Sequence, residues 1–170
     1  MISITPFGQE GPYSGFKSPD IVAMAMGGSM YVCGDSDRPP VRIGLSHSYL
    51  HAGAEGAAAG LMALYGREET GQGQHVDVSM QECITWTLMV VQQAWDLTGT
   101  NLGRAGSFRQ LVSGVIRRNL WRCQDGHITF LLLGGVPGAR TNRALVQFMD
   151  SKGYAPDFLK NMDWESLDMT

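Results

Sequence analysis

The turn Gly71-Gln72-Gly73-Gln74 constrains this chain more than any other feature, because two different periodicities meet across it. On its N-terminal side, from about Tyr49 to Tyr65, Leu50, Ala54, Ala57, Ala58, Leu61, Met62, Leu64 and Tyr65 favour a helix built mostly from alanine and leucine. On its C-terminal side His75-Val76-Asp77-Val78-Ser79-Met80 alternates as a strand does, and Gln81 to Leu97 reads as one long apolar-rich helix. Helix, turn, strand, helix is an α/β pattern. A Gly-x-Gly that follows a helix and precedes a strand reverses the dinucleotide-binding order, which excludes a phosphate-cradling loop of that type. Gly53, Gly56 and Gly60 interrupt the first helix at a cost of about 1 kcal/mol each relative to alanine. Another backbone or a ligand is therefore expected close to that helix, and a helix laid on a sheet is the simpler case.

The flanking segments extend the pattern. Ile2-Ser3-Ile4-Thr5 is a β-branched strand broken by Pro6-Phe7-Gly8-Gln9-Glu10-Gly11-Pro12, so the chain is expected to begin within a fold. Asp20 is placed to cap a small, Met-rich helix over Asp20 to Met30, and Arg38-Pro39-Pro40-Val41-Arg42 is a rigid extended connector. Thr98 to Gly114, rich in Gly, Ser, Asn and Arg, reads as a linker, with a domain boundary near Gly103 dividing residues 1–103 from 104–170. Asn119 to Cys123 and His127 to Leu133 form a hairpin about Gln124-Asp125-Gly126, where Asp-Gly is expected to supply a positive φ. Thr141 can cap a helix over Arg143 to Ser151, and the tail from Phe158 to Thr170 is expected to dock only in part.

With 44% hydrophobic residues, 17% charged residues and a net charge of −3, the chain is globular, and no basic block offers a footprint for nucleic acid. No apolar run approaches the ~20 residues that cross a bilayer, and Met1 to Phe7 lacks a basic signal start; a cytoplasmic location without membrane contact is expected. Cys33, Cys83 and Cys123 have no paired spacing and read as buried free thiols. His47, His51 and Glu55 at i, i+4, i+8 could align as metal ligands on one helix face. Gly44-Leu45-Ser46 argues instead that the helix starts near Ser48 and leaves His47 outside, so no metal is expected.

Several segments in order resemble one family. Phe7-Gly8-Gln9-Glu10-Gly11-Pro12-Tyr13, Asp20 with its helix, Pro39-Pro40-Val41-Arg42-Ile43-Gly44, and Arg67-x-x-Thr70-Gly71-Gln72-Gly73-Gln74-His75-Val76-Asp77-Val78-Ser79 are similar to family III CoA-transferases, across roughly Ile2 to Leu97. Trp121-Arg122-Cys123-Gln124-Asp125-Gly126 resembles the start of that family's small domain. The resemblance implies part of a Rossmann-like large domain over residues 1–103, followed by a linker and part of a small α+β domain over 104–170. It further implies two chains threaded as an interlocked dimer, with the family's first CoA-contacting segments lying upstream of Met1.

In that family an Asp carboxylate attacks the acyl-CoA carbonyl, forms a mixed anhydride and then carries CoA as an aspartyl thioester to the incoming acid. Only a carboxyl carbon can become that thioester. Counted from either flanking motif, the position falls on Tyr49, within Gly44-Leu45-Ser46-His47-Ser48-Tyr49-Leu50-His51-Ala52-Gly53. Lys17 falls where formyl-CoA transferase has a lysine near the CoA, though a solvated loop lysine reads equally well. Asp20 falls where that enzyme has a glutamate beside the reacting thioester. Pro19 stands where the racemase branch has a histidine base, which disfavours racemisation by that pair.

The resemblance thus implies coenzyme A or an acyl-CoA and a small carboxylic acid as substrates. The expected chain is a catalytically deficient subunit or fragment in a homo- or hetero-oligomer with a CoA-transferase chain. A second reading is a non-enzymatic association or acyl-CoA-binding module derived from the family. A third keeps an active enzyme in which Asp20 or Glu55 substitutes as nucleophile; either would need repositioning by several ångströms, and errors of ~1 Å cost about 100-fold.

Overall fold

The β-branched run Ile2–Thr5 forms strand β1, which pairs in parallel with β2, Val76–Ser79, in the register Ile2 to Val76 and Ile4 to Val78. A computed structural model describes residues 1–110 and 116–167. Parallel strands need a crossover, supplied here by helices α1 (Asp20–Met26), α2 (Ser29–Val32) and α3 (His47–Thr70). The helix α3 lies on the strands through its glycines: a Cβ on Gly56 would meet Ile4 at 3.0 Å, and one on Gly60 would meet Ile2 at 2.6 Å. The close approach expected at those positions is a sheet side chain, whereas a Cβ on Gly53 would meet nothing within 4 Å. Gly71, at φ 69°, ends α3 in the left-handed conformation that glycine adopts without strain.

Strand β2 runs directly into α4 (Met80–Trp86), because the Ser79 hydroxyl accepts from the Glu82 N–H and so starts the helix. The single helix expected from Gln81 to Leu97 is two, with α5 spanning Met89–Thr98. At the break the backbone tightens, the Thr87 N–H donating to the Ile84 carbonyl and the Leu88 N–H to the Thr85 carbonyl, each at 3.0 Å. The Thr87 hydroxyl also donates to the Ile84 carbonyl, at 2.7 Å, and that of Thr85 to the Gln81 carbonyl at 2.9 Å. Likewise the first small helix is split: α1 closes at Gly27, where a Cβ would meet Ile84 at 2.6 Å, and Gly28 at φ 87° turns the chain into α2. Ala23, Ala52, Val78, Met80 and Cys83 form the core between these elements.

The chain divides into two units, Met1–Gly106 and Ser107–Thr170. The expected linker is ordered in its described part: Leu102 is buried, Arg104 donates to the Tyr31 carbonyl at 2.9 Å, and Phe108–Gln110 is strand β3; its residues 111–114 lie outside the described residues. Strand β3 pairs antiparallel with β4 (Ile116–Arg118), and β5 (Leu120–Cys123) with β6 (Gly126–Thr129). The second pair is the expected hairpin, but its turn is Gln124-Asp125. Gly126 already pairs with Cys123, and neither Asp125 nor Gly126 takes a positive φ.

Helix α6, Gly135–Ser151, starts well before Thr141, so Thr141 is interior and does not cap. The helix reaches back through Pro137, whose missing N–H costs nothing in a first turn. The tail docks more fully than expected: α7 (Asp157–Lys160) leads to Trp164, which is buried against Ala139 and Val146 with Leu159, Met162 and Leu167 around it; residues 168–170 lie outside the description. Among the described residues no helix is long and apolar enough to cross a membrane.

Candidate functional site

Two segments remote in sequence meet at the N-terminus of α3. Asp20, the first residue of α1, is 4% exposed, and its side chain does not cap its own helix. Its Oδ1 accepts from the backbone N–H of Ser48 at 2.9 Å and from the Ser48 hydroxyl at 2.7 Å. Arg42, from the proline connector, reaches Oδ2 at 3.3 Å. A helix leaves its first N–H groups without partners, and α3 has no side-chain cap of its own at Ser46, so Asp20 performs that task from another element. The negative carboxylate also suits the positive end of the 24-residue helix. Capping was the expected chemistry for Asp20, but on a different helix.

Tyr49 follows Ser48 in the first turn of α3 and is 49% exposed. Lys17 is exposed in the irregular segment before α1, without an ion pair among the described residues. The structure thus brings Asp20 to the turn that carries Tyr49. Ser48 and Arg42, which complete the cluster, were not singled out from sequence, because no local pattern marks either as a partner of Asp20.

The helix α3 begins at His47, not after it, and the His47 and His51 rings lie edge to face with centroids 5.5 Å apart. No group of three or more His, Cys, Asp or Glu among the described residues could hold a metal. Glu55 is exposed further along α3. Of the three cysteines expected to be buried only Cys83 is; Cys33 is half-buried and Cys123 exposed. Burial first, then Glu55 and Glu82, pushes the Cys83 thiol pKa upward. A cleft of about 380 Å³ lies at the other end of α3, between Gly60, Leu64 and Arg67 and the start of β1.

The family model described as CoA-transferase family III matches residues 1–165. The chain belongs to that family. It is 32% identical over 133 residues to succinyl-CoA:(R)-benzylsuccinate CoA-transferase subunit BbsE of Thauera aromatica, an alignment covering 78% of this chain and 31% of that protein. Formyl-CoA:oxalate CoA-transferase of Streptomyces coelicolor is 48% identical over 82 residues, covering 48% of this chain and 20% of the relative. The aligned stretches thus cover less than a third of the length of these relatives. A crystal structure of a CaiB/BaiF family protein from Brucella suis superposes with a TM-score of 0.65 at 25% identity, covering 94% of this chain and 43% of that one.

Proposed function

We propose that this chain takes part in family III CoA transfer, between an acyl-CoA and a small carboxylic acid, as a subunit or fragment without its own nucleophile. The observation that carries this is Tyr49 in the first turn of α3, a phenol where the family's chemistry needs a carboxyl carbon. Asp20 does not replace it: both of its oxygens are engaged, and withdrawing it would leave the buried donors of Ser48 unpaired. In this reading Asp20 holds the turn beside the reacting group, Lys17 meets a CoA phosphate, and no metal takes part. The Thauera relative, named as a subunit, supports pairing with a competent chain. Residues 1–103 are part of a Rossmann-like large domain and 104–170 the linker and part of a small domain, within an interlocked cytoplasmic oligomer.

The test is to co-express the chain with a full-length family III transferase that has Asp at the Tyr49 position, add acyl-CoA, trap with hydroxylamine or borohydride, and map the products. Modification of the partner chain alone is expected. A hydroxamate after hydroxylamine, or a side-chain alcohol after borohydride, at Asp20 or Glu55 in a peptide of this chain overturns the reading.

A second reading, an association module, draws on α3, where Leu61, Met62 and Tyr65 are each about two-thirds exposed or more. Self-association at tens of micromolar without acyl-CoA binding, even in the presence of the partner transferase, would favour it.

A further inference from the structure

The charge on the first antiparallel ribbon of the second unit is arranged unlike that on the rest of the chain. In β3 and β4, Arg109 lies directly opposite Arg117. Directly opposed residues have Cβ atoms about 5 Å apart and project to the same face, so two like charges there destabilise the pairing. Among the described residues no carboxylate lies within 4.0 Å of either guanidinium. The five residues joining the strands, Leu-Val-Ser-Gly-Val, contain no acid. Among the described residues the Arg117 Nε is, moreover, buried without a hydrogen-bond partner, so this side chain is held only in part by the fold.

The neighbouring arginine shows the contrast. Arg118 pairs across the ribbon with Phe108, and its guanidinium stacks over the Phe108 and Trp121 rings at 5.4 and 5.3 Å. That charge is accommodated on the opposite face by aromatic surfaces. Arg109 and Arg117 have no such accommodation in a chain whose net charge is negative.

We infer that Arg109 and Arg117 form a binding site for a phosphate-type anion, in which one phosphoryl group bridges the terminal N–H groups of the two guanidinium groups. Guanidinium presents its N–H groups in a planar fork that matches phosphoryl oxygens, and a dianion removes the repulsion between the paired side chains. The inference is independent of the CoA-transfer reading. Its ligand is free phosphate or diphosphate, or the phosphate of a nucleotide such as CoA.

Calorimetry on the full chain with inorganic phosphate, pyrophosphate, CoA and dephospho-CoA separates these sources. Saturable binding of at least one is expected, weakened about tenfold or more by Arg117→Gln or Arg109→Gln and unchanged by Arg140→Gln on α6. Preference for CoA over dephospho-CoA would assign the nucleotide's lone phosphate monoester as the source, and preference for phosphate or pyrophosphate the free anion. Thermal unfolding supplies a second readout: without the anion Arg109→Thr should raise the midpoint, and the anion should raise the midpoint of the native chain more than that of the variant. Absence of saturable binding, or equal binding by Arg117→Gln and the native chain, overturns the site.

Discussion

The carboxylate of Asp20 closes the N-terminus of α3 from another element, accepting through one oxygen from both the N–H and the hydroxyl of Ser48, 28 residues later. Ser48 is fully buried, so water cannot take over if that oxygen is removed.

Asp20→Ala should therefore destabilise the first unit by about 3 kcal/mol, since two buried donors and the Arg42 charge lose their partner together. Asp20→Asn, which keeps an acceptor oxygen, should cost less, about 1–2 kcal/mol, and Ser48→Ala about 1 kcal/mol. Urea unfolding with an unchanged denaturant slope measures all three. Equal stability of Asp20→Ala and the native chain would show that the cluster does not hold α3.

The glycines should separate by their surroundings. Gly53→Ala adds a Cβ with nothing within 4 Å and should stabilise by up to about 1 kcal/mol through helix propensity. Gly27→Ala places its Cβ 2.9 Å from the Gln81 carbonyl and 2.6 Å from Ile84, and should cost about 2–3 kcal/mol, because backbone and a β-branched side chain cannot both retreat. Thermal midpoints that move in opposite directions confirm the packing of α1 on α4.

The thiols should differ in reactivity and in pH linkage. Cys123 is exposed and should react with an aromatic disulfide in the native state, whereas buried Cys83 should react only on unfolding. Because burial and two glutamates raise the Cys83 pKa, the unfolded chain loses this proton at a lower pH than the folded one. Its contribution is intact below the ordinary thiol range and falls as pH rises through that range toward the raised folded value. Urea midpoints at neutral and alkaline pH should diverge more for the native chain than for Cys83→Ala.

The parts of this fold that depend on near neighbours were readable in the sequence. The alternation in Val76–Ser79 and the hairpin of Leu120–Cys123 with Gly126–Thr129 follow from local patterns, as does the turn at Gly71, although α3 runs on to Thr70 rather than ending near Tyr65. What was misread depends on partners far along the chain or on competing local bonds. No periodicity announces that the backbone tightens at Thr87 and Leu88, because the apolar run across them also fits a continuous helix. Helix α6 begins before its expected cap and carries Gly138 against the Leu133 carbonyl, a closeness visible only after folding. At the candidate site Asp20 carried the right chemistry, but Arg42 and Ser48 were invisible as its partners because they stand 22 and 28 residues away.

The pairing of β1 with β2 has a consequence for the order of assembly. The strand Ile2–Thr5 can pair with Val76–Ser79, its partner among the described residues, once the ribosome has delivered the whole intervening stretch. Closing a loop of roughly 70 residues costs about 4 kcal/mol in chain entropy before either strand gains a bond. The helices α1 and α3 can meet earlier, with Asp20 seated on Ser48, and a nascent chain organised in that way presents Gly56 and Gly60 as vacant seats into which Ile4 and Ile2 settle last.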